Sequence, residues 1–189
     1  MRRALVVLLL GAGACQAKEA HQPLPEGPFG LGRTPTEEEV AAWNTSVNPT
    51  GKNLPPGQGS VAEGKVVFAA KCAACHGDAG QGMPPTYPQL VGKEPADFSF
   101  DDDFKKAHTI GNYWPYATTL YDYIHRAMPF DKPGTLAPDE VYSLVAFVLA
   151  RNGIVKDDAV IDARTLPAIR MPARDRFVPD DRERSTRVR

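Results

Sequence analysis

The sequence is poor in cysteine, and its cysteines are not spaced to bind zinc. Only three occur in 189 residues, at positions 15, 72 and 75, and no His-x-x-x-His pair or second Cys-x-x-Cys pair accompanies them. A structural zinc site needs two such ligand pairs, so half of a zinc site is the most that the sequence offers. A redox dithiol is a further alternative for Cys72 and Cys75, although such enzymes have a strand ahead of the motif and none is predicted here.

The sequence also lacks an excess of charge of either sign. It has 22 Lys and Arg against 23 Asp and Glu, for a formal net charge of −1, which argues against a nucleic-acid partner. There is no internal repeat, and no stretch alternates convincingly enough to predict a sheet. These absences leave one all-α domain with long extensions as the predicted architecture.

The segment 72–76 reads Cys-Ala-Ala-Cys-His, which is the signature for covalent attachment of a c-type haem. Each thiol can add across one vinyl group of the porphyrin to form a thioether. His76 is then placed to bind the iron from one axial side. The motif occurs once, and it therefore predicts a single covalently bound haem c held by Cys72, Cys75 and His76.

The N-terminus has the pattern of an export signal, which haem attachment outside the cytoplasm requires. Two arginines precede an apolar run over residues 4–10, and small residues follow up to Cys15. The run is too short to span a bilayer as a mature helix. We therefore predict a signal peptide over residues 1–14 and a periplasmic product. The pattern favours a lipid on Cys15, which would be the sole membrane contact, with an unmodified soluble product as the alternative.

Four helices are predicted from capping residues and apolar spacing. The first opens at Thr36 and reaches about Trp43, and the second runs from about Val61 into the haem motif. The third spans about 118–127, with Leu120, Tyr123 and Ile124 on its apolar face, and the fourth spans 138–152. The resulting domains are a signal peptide (1–14), an N-terminal arm and linker (15–60), a mono-haem domain (61–153), and a C-terminal arm and tail (154–189).

The second axial ligand decides whether the iron is open to small molecules or closed for electron transfer. Three internal methionines are candidates, and each precedes a proline: Met83, Met128 and Met171. Met83 follows His76 too closely to reach the opposite face of the porphyrin. We predict Met128, which lies between the last two helices, with Met171 as the alternative and a role as core filler as a third interpretation.

These residues together resemble class I cytochrome c. Gly64 and Phe68 precede the haem motif, Pro88 opens a Pro-x-Leu-x-Gly run, Met128 precedes a proline, and Phe147 lies on the last helix. The resemblance implies a class I cytochrome c fold in which Gly64 and Phe68 cross the last helix near Phe147. It also implies that the carbonyl of Pro88 accepts a hydrogen bond from Nδ1–H of His76, which would make His76 a better donor to iron.

A closer resemblance covers most of the chain beyond the signal peptide. The sequence is similar to the cytochrome subunits of bacterial sulfite and sulfane dehydrogenases, the latter part of the Sox system of sulfur oxidation. The segments that carry this similarity are 30–33, Trp43, 54–57, 113–120, 127–130 and 152–154. The resemblance implies a molybdenum-cofactor dehydrogenase subunit as electron donor and a downstream cytochrome or oxidase as acceptor. Some relatives carry two haems, whereas this chain has one Cys-x-x-Cys-His motif.

Trp114 and Tyr116 are candidates for hydrogen bonds to haem propionates, because each combines an apolar ring with a polar tip; simple core packing is the alternative. The sequence as a whole predicts a His/Met-ligated electron-transfer cytochrome that is not itself an enzyme. A general periplasmic shuttle for another dehydrogenase or a terminal oxidase is one alternative function. A haem enzyme or gas sensor with an open iron site is the other.

Overall fold

The computed structural model of the protein describes residues 32–92 and 108–178, in two units that divide after Trp43. The described part of the first unit contains helix α1 (Glu37–Trp43). This helix begins at the predicted capping box: the Thr36 amide donates to the Glu39 carboxylate at 2.8 Å, and the Glu39 amide donates to Oγ1 of Thr36 at 3.2 Å. The predicted signal peptide and Cys15 lie outside the described residues.

The second unit contains the other helices and strands of the described chain. In order they are β1 (Gln58–Ser60), α2 (Val61–Lys71), α3 (Ala73–His76), α4 (Ala117–Ala127), α5 (Pro138–Arg151) and β2 (Val160–Asp162), followed by 3₁₀ turns at Leu166–Ala168 and Arg174–Arg176. The predicted helices therefore lie within about one residue of their expected ends, except that the second stops at Lys71 and a separate short helix carries the haem motif. Within the described ranges, no helix is long and apolar enough to cross a membrane.

Helix α5 forms the centre of the core, and every residue from Val141 to Ala150 is buried. It crosses α2 at close range: a Cβ on Gly64 would lie 1.9 Å from the Ser143 carbonyl oxygen and 2.7 Å from Cβ of Phe147. Only glycine permits this approach. The Phe68 and Phe147 rings pack beside the crossing with centroids 5.0 Å apart. The crossing implied by the resemblance is thus present, and it fixes the helix that leads into Cys72.

The prediction that the chain contains no sheet is wrong. Strands β1 and β2 form an antiparallel pair in which Gly59 lies opposite Ile161. Each strand is only three residues long, which is too short to show an alternating pattern in the sequence. In addition, Gly59 lies against α5, where a Cβ would be 2.1 Å from the Ser143 amide nitrogen. The strand therefore packs here through its backbone, and glycine has no side chain that could contribute to an alternating pattern.

Helix α4 packs against both α5 and the segment 44–57. Leu120 and Ile124 are buried as predicted, but Tyr123 is 47% exposed and does not belong to the buried face. Its position at i+3 from Leu120 and i−1 from Ile124 places it at the margin of the apolar stripe. On another face, the Val47 amide donates to Oδ1 of Asp122 at 2.8 Å, and this bond attaches the segment before β1 to α4.

The segment after α5 contributes side chains to the same core. Ile161, Leu166 and Met171 are each at most 2% exposed and belong to one buried cluster with α4 and α5. Strand β2 supplies the first of these residues, and the 3₁₀ turn at Leu166–Ala168 supplies the second. The hydrophobic core is therefore completed by chain that follows the last long helix.

Candidate haem-binding site

The haem motif occupies the end of α2 and the single turn of α3. The Cys72 amide still bonds to the Phe68 carbonyl at 2.9 Å, and the amides of Cys75 and His76 then both turn back to the Cys72 carbonyl, at 3.1 and 2.9 Å. Cys72 leaves the helical conformation, with φ −126°. Cys72, Cys75 and His76 are thus held by consecutive turns. The crossing of α2 and α5 fixes the helix from which these turns start.

The two cysteines are free thiols, and both are half-buried. Burial raises the pKa of Cys72 to about 11, while Lys71 opposes that shift and Cys75 adds to it. A reactive dithiol needs the opposite shift, toward the thiolate. Moreover, no group of three or more His, Cys, Asp or Glu side chains in the described ranges could hold a metal ion. The raised pKa of Cys72 therefore does not favour a reactive dithiol.

A compact loop over residues 77–92 returns the chain to the histidine. The Gly82 amide donates to the His76 carbonyl at 2.8 Å, and the Leu90 amide donates to the Gly80 carbonyl at 2.9 Å. Gly82 has φ +74°, and a Cβ there would lie 2.8 Å from the Pro88 carbonyl carbon, so glycine is required. The loop is fastened to α5 where the Gly92 amide donates to Oδ1 of Asn152 at 2.9 Å.

This loop places Nδ1 of His76 3.4 Å from the carbonyl oxygen of Pro88, the contact that the resemblance implied. The tautomer protonated on Nδ1 donates to this oxygen and leaves Nε2 with a free lone pair. That lone pair is what an axial imidazole offers to iron. Two free thiols and one oriented imidazole within five residues fit a c-type haem.

Tyr87 is a neighbour of the motif that sequence reasoning missed. Its ring centroid lies 6.5 Å from that of the His76 imidazole, in an edge-to-face arrangement at 64°. Its hydroxyl interacts with the sulfur of Cys75, and this contact raises the pKa of Tyr87. No pattern in the sequence indicates this contact, because it depends on how the loop folds back onto the motif.

The three methionines lie in different environments. Met128 is half-buried at the end of α4, packed against the edge of the core. Met171 is 1% exposed and lies inside the core, whereas Met83 is 43% exposed in the loop. A side chain enclosed by core residues cannot also reach an iron outside them. Met128 is the methionine that is both partly exposed and packed against the core.

Trp114 and Tyr116 precede α4, and the structure gives each a packing partner. The Trp114 ring packs edge-on against Tyr123, with centroids 5.7 Å apart, and the side chain rests on the core. The guanidinium of Arg174 lies 4.5 Å from the centroid of the Tyr116 ring, a cation–π contact with the C-terminal segment. Both residues are half-buried, and hydrogen bonds to propionates remain a prediction for them.

Comparison with known proteins identifies the class. The cytochrome c family profile matches residues 61–152, the region that contains the motif, its loop and both crossing helices. The chain belongs to the cytochrome c family and carries one covalently bound haem c, since it has a single attachment motif.

Among solved structures, the chain is similar to the sulfane dehydrogenase SoxCD of Paracoccus pantotrophus. The two are 43% identical with a TM-score of 0.69, and the match covers 82% of this chain and 74% of that one. The chain is also similar to a thiosulfate dehydrogenase of Stutzerimonas stutzeri strain A1501, at 28% identity over 120 residues. That match takes in 56% of this chain but only 35% of the relative, so the chain spans about a third of that protein's length.

Proposed function

We propose that this protein is the electron-accepting cytochrome of a periplasmic dehydrogenase that oxidises a sulfur compound at a molybdenum cofactor. The observation that carries the proposal is the extent of the similarity to SoxCD, which at 82% of the chain goes well beyond the cytochrome c region at 61–152. A generic electron shuttle would share the haem-binding region alone. The similarity includes sequence outside it, where partner contacts can be made.

Haem c supplies an iron centre that takes up and gives back one electron. The protein's part would be to hold that centre: Cys72 and Cys75 would form the thioether bonds, and His76 and Met128 would ligate the iron. The Pro88 carbonyl would keep the His76 imidazole in the tautomer protonated on Nδ1. An iron ligated by both side chains would transfer electrons and would leave bond-making chemistry to the partner. The electron then passes to a downstream cytochrome or oxidase.

The proposal includes export and anchoring. Residues 1–14 act as a signal peptide, and Cys15 becomes a lipid-modified N-terminus that keeps the haem domain beside the membrane. Mass spectrometry of the mature N-terminus tests both points. A diacylated Cys15 supports the anchor, and an unmodified N-terminus at that residue supports a soluble periplasmic product.

The similarity to a thiosulfate dehydrogenase favours a second candidate function. In that case the chain would contribute to oxidation of thiosulfate at an open haem and would be part of an enzyme. Carbon monoxide distinguishes the two functions: a reduced haem closed by Met128 does not bind it, whereas an open haem does.

The function is tested with the purified holoprotein and a sulfane dehydrogenase catalytic subunit carrying its molybdenum cofactor. Haem absorbance is followed after addition of sulfite or thiosulfate. Reduction is expected only when the catalytic subunit is present. A single-haem cytochrome c of an unrelated shuttle system is the control, and it should be reduced more slowly. Equal rates for the two cytochromes would favour a general shuttle, and reduction by thiosulfate without the catalytic subunit would favour the second candidate.

A further inference from the structure

The loop at 77–92 contains a small hairpin that haem attachment alone does not require. The amide of Met83 donates to the carbonyl of Tyr87 at 3.0 Å, and the amide of Tyr87 donates back to the carbonyl of Met83 at 3.0 Å. This reciprocal pair fixes the backbone of Tyr87. The hairpin therefore sets the direction in which the Tyr87 side chain leaves the backbone.

The Tyr87 ring is a second neighbour of the imidazole, in addition to the Pro88 carbonyl. Pro88 contacts His76 through a single polar atom, its carbonyl oxygen, which lies near Nδ1. One such contact, at 3.4 Å, still allows the imidazole to rotate about it. The Tyr87 ring, inclined at 64° to the imidazole with centroids 6.5 Å apart, disfavours that rotation through the edge-to-face preference of aromatic pairs.

We propose that Tyr87 is a positioning residue for the haem site: its aromatic ring sets the plane of the His76 imidazole, and Pro88 sets its tautomer. The inference rests on the proposed role of His76 as axial ligand. A ligand held in one plane keeps its hydrogen bond to Pro88 and so remains a strong donor that favours ferric iron. Loss of the ring should loosen both and raise the midpoint potential.

The test compares Tyr87→Leu, which removes the ring, with Tyr87→Phe, which keeps it. Each holoprotein is examined for its midpoint potential and for the proton NMR shifts of the haem methyl groups in the ferric state, which report the orientation of the axial imidazole. Tyr87→Leu should change the methyl shift pattern and raise the potential, and Tyr87→Phe should leave both at the wild-type values. Tyr113→Leu is the matched control, because Tyr113 stacks on His108, a histidine outside the motif, with centroids 4.5 Å apart.

Wild-type shifts and potential in Tyr87→Leu would overturn the proposal. So would equal changes in both variants, because the hydroxyl beside Cys75 would then be the acting group and not the ring. If Tyr87→Leu yields no holoprotein, Tyr87→Met takes its place as the variant without a ring, and wild-type shifts and potential in it would overturn the proposal. Failure of the axial role of His76 would be seen separately, as a His76→Ala holoprotein that keeps the wild-type haem spectrum.

Discussion

Two of the three Met-Pro pairs in this protein differ in how far the methionine is buried. Met128-Pro129 ends helix α4, where Met128 is half-buried at the edge of the core. Met171-Pro172 lies in the segment after the last long helix, where Met171 is 1% exposed among Leu166 and other core side chains. The first methionine is available to a ligand beside the core, and the second has its whole side chain occupied by protein contacts.

The comparison shows that a dipeptide does not identify an axial ligand; the packing of its element does. A thioether is flexible and apolar enough to fill a core gap, and it is also a good ligand to haem iron. Which role it takes depends on whether neighbouring elements cover it. In this chain Met171 belongs to the buried core cluster, and β2 pairs the preceding part of the C-terminal segment with β1.

Replacing Met128 should have the largest effect of the changes that probe this difference. Met128→Ala removes the proposed sixth ligand, so the reduced holoprotein should lose its low-spin spectrum, bind carbon monoxide and show a lower midpoint potential, since thioether ligation favours ferrous iron. Absorption spectra with and without carbon monoxide measure this. Met83→Ala is the control, and its spectrum should match the wild type. An open iron in Met171→Ala, with a closed one in Met128→Ala, would reverse the assignment.

Replacing Met171 should affect stability and leave the haem spectrum alone. Met171→Ala removes a fully buried side chain and leaves a cavity, which costs about 2–5 kcal/mol of the free energy of unfolding. Denaturant titration of the holoprotein measures the loss. Met83 is 43% exposed, so Met83→Ala should change the same quantity by less than about 0.5 kcal/mol. Equal losses in the two variants would show that Met171 is not a core residue.

The sequence predicts the helices and the attachment motif well because their signals are local. Thr36 caps a helix through Glu39 only three residues away, and the cysteines and His76 lie within one five-residue run. Apolar spacing likewise identified α5, since one long helix carries the whole stripe. These features depend on neighbours in the chain and can be recognised without knowledge of the fold.

What could not be predicted depends on contacts between distant parts of the chain. The pairing of Gly59 with Ile161, the burial of Met171 and the approach of Tyr87 to His76 all require the folded structure. None of them leaves a periodic signal, because each involves a short strand or a turn. The contact between Pro88 and His76 was expected only through resemblance to a family, and on spacing alone Pro88 is an ordinary loop residue.

The smallest expected effect concerns the attachment of α4, the helix that ends in Met128. Burial tends to raise the pKa of Asp122, but hydrogen bonds from Arg126 and from the Val47 amide outweigh it, and the net shift is downward. Oδ1 of Asp122 accepts from Nε of Arg126 at 3.0 Å and from the Val47 amide at 2.8 Å. The charge of His125 also contributes to the lowered pKa of Asp122. Acid should therefore weaken the attachment of the segment before β1 to α4.

Because the folded pKa of Asp122 is lowered, its stabilising contribution is fully present above the unfolded value of about 3.9 and is lost as the pH falls through the folded pKa. Asp122→Asn should cost about 1 kcal/mol at neutral pH, since the Arg126 side chain is 49% exposed and its share is screened by solvent. The melting temperatures of wild type and variant should differ by a constant amount from about pH 7 to about pH 4. They should approach each other only as the pH falls further, through the lowered folded pKa of Asp122. Asp131→Asn is the control, because that carboxylate is 73% exposed, and it should melt with the wild type throughout. A gap between wild type and Asp122→Asn that persists unchanged into acid would mean that the ionised carboxylate does not hold the segment before β1 to α4.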